Sequence, residues 1–131
     1  MSSESKPCIL IVDDDEGLAA IIQLMLDRAG YDAHTVFSGQ TALEWLTRRK
    51  PDAVILDLMM PDMSGFTLLR QWRSSEATRS LPVIVLTARV DVRTRRDSRT
   101  AGANAFLTKP VHQNVLIEHV REAIGHAATL Q

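Results

Sequence analysis

At 131 residues the chain has the length of one domain, and its 45% apolar content is ordinary for a globular core. A formal charge of -1 argues against a nucleic-acid binder driven by bulk charge, and the single cysteine, Cys8, excludes an internal disulfide. No apolar run is long enough to cross a membrane as a helix, and residues 1–7 are polar and lack a signal-peptide core. The expectation is a cytoplasmic domain without membrane insertion, spanning residues 8–126, between a flexible segment 1–7 and a frayed tail 127–131.

Cys8–Val12 is an apolar run that ends in Asp13, Asp14, Asp15 and Glu16. It reads as a first strand, with Cys8 a small buried hydrophobe. Leu18, Ile21, Ile22 and Met25 recur at helical spacing, and Gly30 can cap that helix. Residues 33–36 make a short second strand. Ser38 can cap a second helix with Ala42, Leu43 and Leu46 inward, and Pro51 stops it. Ala53–Leu56 is wholly apolar, as a strand buried on both faces should be. Asp57 stands at its end, and Pro61, Asp62, Ser64 and Gly65 supply turn chemistry.

Phe66, Leu69 and Trp72 stripe a third helix. Residues 83–86 form a fourth strand, residues 87–102 hold a fourth helix, and residues 105–107 form a fifth strand. Lys109 and Pro110 follow, then a fifth helix with Leu116, Val120 and Ile124 on one face. Trp45 and Trp72 are expected to pack. His34, His112, His119 and His126 lack metal-ligand spacing and read as surface or core residues.

Five strand–helix units in strict alternation predict an α/β fold with a parallel, doubly wound sheet. The carboxyl ends of its strands then share one edge, which gathers Asp13, Asp14, Asp57, Thr87, Thr108 and Lys109. Carboxylates about 4 Å apart near a protein surface repel by roughly 4 kcal/mol per pair. Protonation or a bound cation relieves this, and oxygen-only ligands suit a hard ion such as Mg2+. A carboxylate nucleophile, a divalent ion, a lysine and a hydroxyl together suit phosphoryl transfer onto Asp57.

Val12-Asp13-Asp14-Asp15, Leu56-Asp57 with Met60-Pro61 and Gly65, Leu86-Thr87-Ala88, Ala101-Gly102-Ala103 and Phe106-Leu107-Thr108-Lys109-Pro110 occur in that order. In these motifs the chain resembles the receiver domain of two-component response regulators, of the chemotaxis single-domain type. The resemblance implies a flavodoxin-like sheet of five strands in the order 2-1-3-4-5, with five helices. It implies Asp57 as phosphoacceptor, and Mg2+ held by Asp13, Asp14, Asp57 and the Met59 carbonyl. It further implies Thr87 and Lys109 at the phosphoryl group, Thr87 and Phe106 as the switch pair, and a cis peptide at Lys109-Pro110. The phosphodonor would be a phosphohistidine on a sensor histidine kinase or phosphotransfer protein. The output face would be helix four, strand five and helix five. Such a domain catalyses its own phosphorylation without being a turnover enzyme.

Phe106 departs from the family, which often carries Tyr there. Residues 89–102 hold five arginines against two aspartates, a net of +3. A face of Val92, Arg95, Arg96 and Arg99 cannot be buried unpaired. The expectation is a short, displaced or mobile fourth helix, or arginine stems lying along the surface. A basic output face points to an acidic partner rather than to direct nucleic-acid contact. Met59 and Arg89 each lie two residues past a site residue and can shield an acyl phosphate, which implies slow self-hydrolysis. No room is left after the fifth helix for an effector domain, so output is expected by contact.

Other functions compete. An aspartyl-phosphate phosphatase or phosphotransferase would carry a second acid where Met59 stands. A phosphorylation-independent interaction module would have lost part of the set Asp13, Asp14, Asp57, Thr87 and Lys109. A flavin domain would need a Gly/Ser/Thr-rich phosphate loop after the first strand.

Overall fold

The computed structural model describes residues 6–129, with side chains described as far as Gly125. The expectations for residues 1–5 and 130–131, and for the His126 side chain, lie outside the described residues. In chain order the elements are β1 (Cys8–Val12), α1 (Glu16–Arg28), β2 (Asp32–Val36), α2 (Gly39–Arg48) and β3 (Ala53–Leu56). α3 (Gly65–Ser74), β4 (Val83–Thr87), α4 (Val92–Ala101), β5 (Ala105–Thr108) and α5 (Gln113–Thr129) follow. α5 continues past the expected boundary at residue 126.

The strands form one parallel sheet in the order β2-β1-β3-β4-β5, as expected. β1, β3 and β4 are buried along their whole length, which accounts for their unbroken apolar sequences. Two cores result. Ile9, Ile11, Ile55, Ile84 and Leu86 pack with Ala19, Ile22 and Leu26 of α1 and with Leu116 and Val120 of α5. Leu10, Val12, Val54, Leu56 and Val83 pack with Ala42 of α2 and with Leu68, Leu69 and Trp72 of α3. Trp72 is thus a packing residue, as expected.

Local chemistry sets the helix ends. Asp15 accepts the Leu18 N–H and caps α1, while Gly30 takes φ +98° just past the α1 C-cap, Ala29. Ser38 and Ser64 cap α2 and α3.

The fourth helix corrects the sequence reading. It runs a full ten residues and turns inward neither Val92 nor its arginines, but Thr94 and Ser98. Val92 is 80% exposed. The inward hydroxyls are satisfied locally: Ser98 Oγ donates to the Thr94 carbonyl at 2.8 Å. A helix lined by small, self-satisfied polar side chains needs no apolar stripe, so hydrophobic periodicity marked the wrong face. The arginines extend over the surface, as the second form of the expectation required.

Candidate functional site

Strand register builds the site. Val12 pairs with both Val36 and Leu56, so β1, β2 and β3 end level. The Asp13 N–H donates to the Val36 carbonyl (3.2 Å) and the Asp57 N–H to the Val12 carbonyl (3.0 Å). Each aspartate is therefore the first residue past the sheet on its strand. Carboxylate oxygens of Asp13, Asp14 and Asp57 lie within 4.8 Å of one another. Asp13 and Asp57 are 2% and 5% exposed, whereas Asp14 faces solvent.

Lys109 arrives from the end of β5, fixed by its N–H donating to the Thr87 carbonyl at 2.9 Å. Its ammonium reaches Asp13 at 2.8 Å and Asp57 at 3.1 Å. The peptide that follows, Lys109-Pro110, is cis. The other Asp57 oxygen accepts the Met59 N–H at 3.1 Å. Gly65 lets α3 start directly against this loop, since a Cβ there would stand 2.6 Å from the Asp57 carbonyl oxygen.

Burial raises the Asp57 carboxyl above the usual aspartate range, and the Asp13 charge adds to the rise; bonds from Met59 and Lys109 only partly offset it. Burial works against the Lys109 charge, yet its bonds to Asp13 and Asp57 prevail and hold the ammonium above its ordinary value. One ammonium among three carboxylates leaves a net charge of -2 in a half-buried cleft. An all-oxygen donor set with that surplus fits a hard divalent cation such as Mg2+.

The other expected residues fall around this cluster. Met59, Ala88 and Arg89 line a cleft with Asp57 and Lys109, and Met59 is 54% exposed at its rim. Thr87 is wholly buried, its Oγ1 accepting the Arg89 N–H at 3.3 Å. Thr87 pairs with Thr108, so Phe106, two residues before Thr108, shares its face of the sheet one diagonal step away. Phe106 is half-buried beneath the Arg95 guanidinium.

Three features escaped the sequence reading. Lys109 binds Asp13 as well as Asp57. Asp62, read only as turn chemistry, accepts the Gly39 and Gln40 N–H groups at 3.1 Å each, tying the β3–α3 loop to the start of α2. Arg73, half-buried, donates to the carbonyls of Gly102, Thr78 and Arg79 and to Asn104, which holds the α4–β5 turn. The turn residues Pro61, Asp62 and Ser64 hinted at the second feature; only tertiary contact reveals the other two.

The response regulator receiver domain model matches residues 9–121. The chain is 38% identical over 113 residues to the response regulator PleD of Caulobacter vibrioides, covering 86% of this chain and 25% of PleD. It is 34% identical over 115 residues to RpaA of Synechocystis, a DNA-binding dual master transcriptional regulator, covering 88% of this chain and 48% of RpaA. The chain thus spans a quarter to a half of these relatives' length. A CheY-like receiver domain crystal structure from Methanospirillum hungatei superposes with a TM-score of 0.90 at 25% identity, covering 97% of this chain and all of that one.

Proposed function

We infer from one premise, that this chain belongs to the response regulator receiver family of two-component signalling, that Asp57 is its phosphoacceptor. The observation that carries the reading is that the Lys109 ammonium lies within 3.1 Å of both Asp57 and Asp13, the three coming from strand ends far apart in sequence.

A carboxylate oxygen of Asp57 attacks phosphorus in line with the leaving imidazole of a phosphohistidine on a histidine kinase or phosphotransfer protein. The new O–P bond forms as the P–N bond breaks, and the imidazole leaves with a proton. Lys109 offsets charge on the phosphoryl oxygens, and the Thr87 hydroxyl donates to one of them. Asp13, Asp14, Asp57 and the Met59 carbonyl would hold Mg2+, which when bound supplies further positive charge to the transferring group. Met59 and Arg89 flank the acyl phosphate and slow its hydrolysis; cutting both to Ala shortens its lifetime.

Thr87 and Phe106 then serve as the switch, and α4, β5 and α5 as the output face. The arginines of α4 suit an acidic protein partner. No helix among the described residues is long and apolar enough to cross a membrane; the proposed setting is the cytoplasm. The chain transfers a phosphoryl group to itself rather than turning over a substrate.

The test is intact mass after acetyl phosphate and Mg2+, with Asp57→Asn in parallel. One added phosphoryl group in the wild type alone is expected. No addition, or equal addition to the variant, overturns the assignment, and repeated turnover of a phosphoester would favour a phosphatase instead.

A further inference from the structure

Cys8 and Asp32 stand opposite each other where β1 and β2 begin, and His34 lies two residues along β2. The three side chains therefore share one face of the sheet, at the edge away from Asp57. One donor atom from each, the Cys8 Sγ, an Asp32 carboxylate oxygen and a His34 ring nitrogen, falls within 4.8 Å of the others. The sequence reading took Cys8 as a buried hydrophobe and His34 as lacking metal-ligand spacing, because strand pairing rather than sequence spacing brings them to Asp32.

A cation already sits among them. Arg49, the α2 C-cap, places its guanidinium 3.6 Å from Asp32, 3.2 Å from His34 Nε2 and 3.7 Å from Cys8 Sγ. The fit is poor. His34 Nε2 also faces Asp32 at 3.1 Å, and one ring nitrogen cannot both donate to the carboxylate and accept from the arginine. The Arg49 side chain is 48% exposed, and its guanidinium also lies 5.2 Å from the Trp45 ring centroid, a face it can keep while turning out of the cluster.

We propose that Cys8, Asp32 and His34 form a site for a borderline-soft divalent cation of the zinc class, with Arg49 as the displaceable cation that otherwise fills it. A sulfur, an imidazole nitrogen and a carboxylate with solvent in the fourth position is a zinc-type donor set, unlike the all-oxygen cluster beside Asp57. Tetrahedral ligand atoms lie roughly 3.5 Å apart at zinc bond lengths, within small side-chain rotations of the arrangement here. On binding, Sγ gives its proton to solvent and Arg49 leaves. Thiolate, carboxylate and divalent ion then sum to zero, as thiol, carboxylate and guanidinium did, so the exchange leaves the local charge unchanged. A metal at Nε2 also ends the conflict between Asp32 and Arg49 over that atom. Burial raises the Cys8 thiol, so the ion must compete with its proton.

The test is a Co2+ titration of the full chain with excess Mg2+ present to hold the carboxylates at the other edge. Thiolate ligation gives a near-ultraviolet charge-transfer band that an oxygen-only site lacks, and Zn2+ should bleach it. The band is expected in the wild type and absent in Cys8→Ser. Asp32→Asn, at a surface position, should weaken binding at least about tenfold. Arg49→Ala should tighten it several-fold, a gain that no loss of folding can mimic. A wild type and an Arg49→Ala variant that both lack the band overturn the proposal, as does a band that survives in Cys8→Ser. Because the readout is sulfur-to-metal absorption, failure here leaves the phosphoacceptor reading untouched.

Discussion

The guanidinium of Arg95 lies over the ring of Phe106, 5.0 Å from its centroid. The tyrosine frequent at this position would offer a hydroxyl to hold an orientation; phenylalanine offers only its face and edge. A cation on that face is worth about 0.5–1 kcal/mol at an exposed site, enough to shift a two-position ring several-fold. One of the basic residues of the proposed output face is therefore placed to bias the proposed switch residue as well.

Arg95→Ala should broaden the exchange of the Phe106 ring, followed by aromatic NMR relaxation, and leave Mg2+ affinity unchanged. Arg95→Lys should restore part of the effect, since an ammonium stacks less well than a guanidinium. Ring dynamics identical in all three proteins would remove Arg95 from the switch.

Lys109 is the only ammonium placed between Asp13 and Asp57 among the described residues. Removing it leaves two buried carboxylates facing each other. Loss of one partner of a buried pair costs about 3–5 kcal/mol, and the 17% exposure of the Lys109 side chain places this case toward the lower end. Lys109→Ala should therefore lower stability by roughly 3 kcal/mol in chelator, measured by urea unfolding. Mg2+ should recover more stability in this variant than in the wild type, because a cation then replaces the missing charge. Equal recovery in both would show that ion and lysine do not share these carboxylates.

The raised Asp57 carboxyl has a signed consequence for stability. A group whose folded pKa lies above its unfolded value favours the fold while protonated. That contribution is fully present below the unfolded value, about 3.9 for aspartate, and is lost as pH rises through the folded value. The metal-free wild type should lose this contribution over that window, while Asp57→Asn, which cannot ionise, should not. The stability of Asp57→Asn relative to wild type should rise with pH from about pH 4 and then level off. Urea midpoints in chelator across this range check it; a difference that is flat or falls with pH contradicts the burial argument. Saturating Mg2+ should shrink the difference.

Much of this was legible in the chain because a parallel sheet converts strand ends into neighbours. The wholly apolar runs Cys8–Val12 and Ala53–Leu56 fix two buried strands, and the first polar residue after each must sit on one edge. Asp13 and Asp57 followed from that, and Lys109 from a fifth strand ending on the same edge. What stayed hidden depends on register or on polar groups that satisfy themselves. The Cys8, Asp32 and His34 cluster needs the pairing of β1 with β2. The inward face of α4 carries Thr94 and Ser98, whose hydroxyl bonding is internal and leaves no apolar signature. Arg73 reads as a surface cation until the α4–β5 turn folds over it.

The same hydroxyl-lined face seats α4 less firmly than α1. Its ends are well made: Asp91 accepts the Thr94 N–H at 2.7 Å, and Gly102, at φ +109°, closes the helix with the Ala103 N–H reaching back to the Ser98 carbonyl. Its middle buries only Thr94 and Ser98, whereas α1 buries Ala19, Ile22 and Leu26 in the core. Each fully buried aliphatic side chain contributes about 1.5–3 kcal/mol, and α4 has none. Local opening of α4 should therefore need less free energy than opening of α1. Amide exchange across Val92–Ala101 is expected to be faster than across Glu16–Arg28, with Gly102→Ala faster still because that φ strains any other residue. Exchange in α4 as slow as in α1 would mean that its capped ends and the Arg73 tether, rather than buried apolar area, govern how tightly it is held.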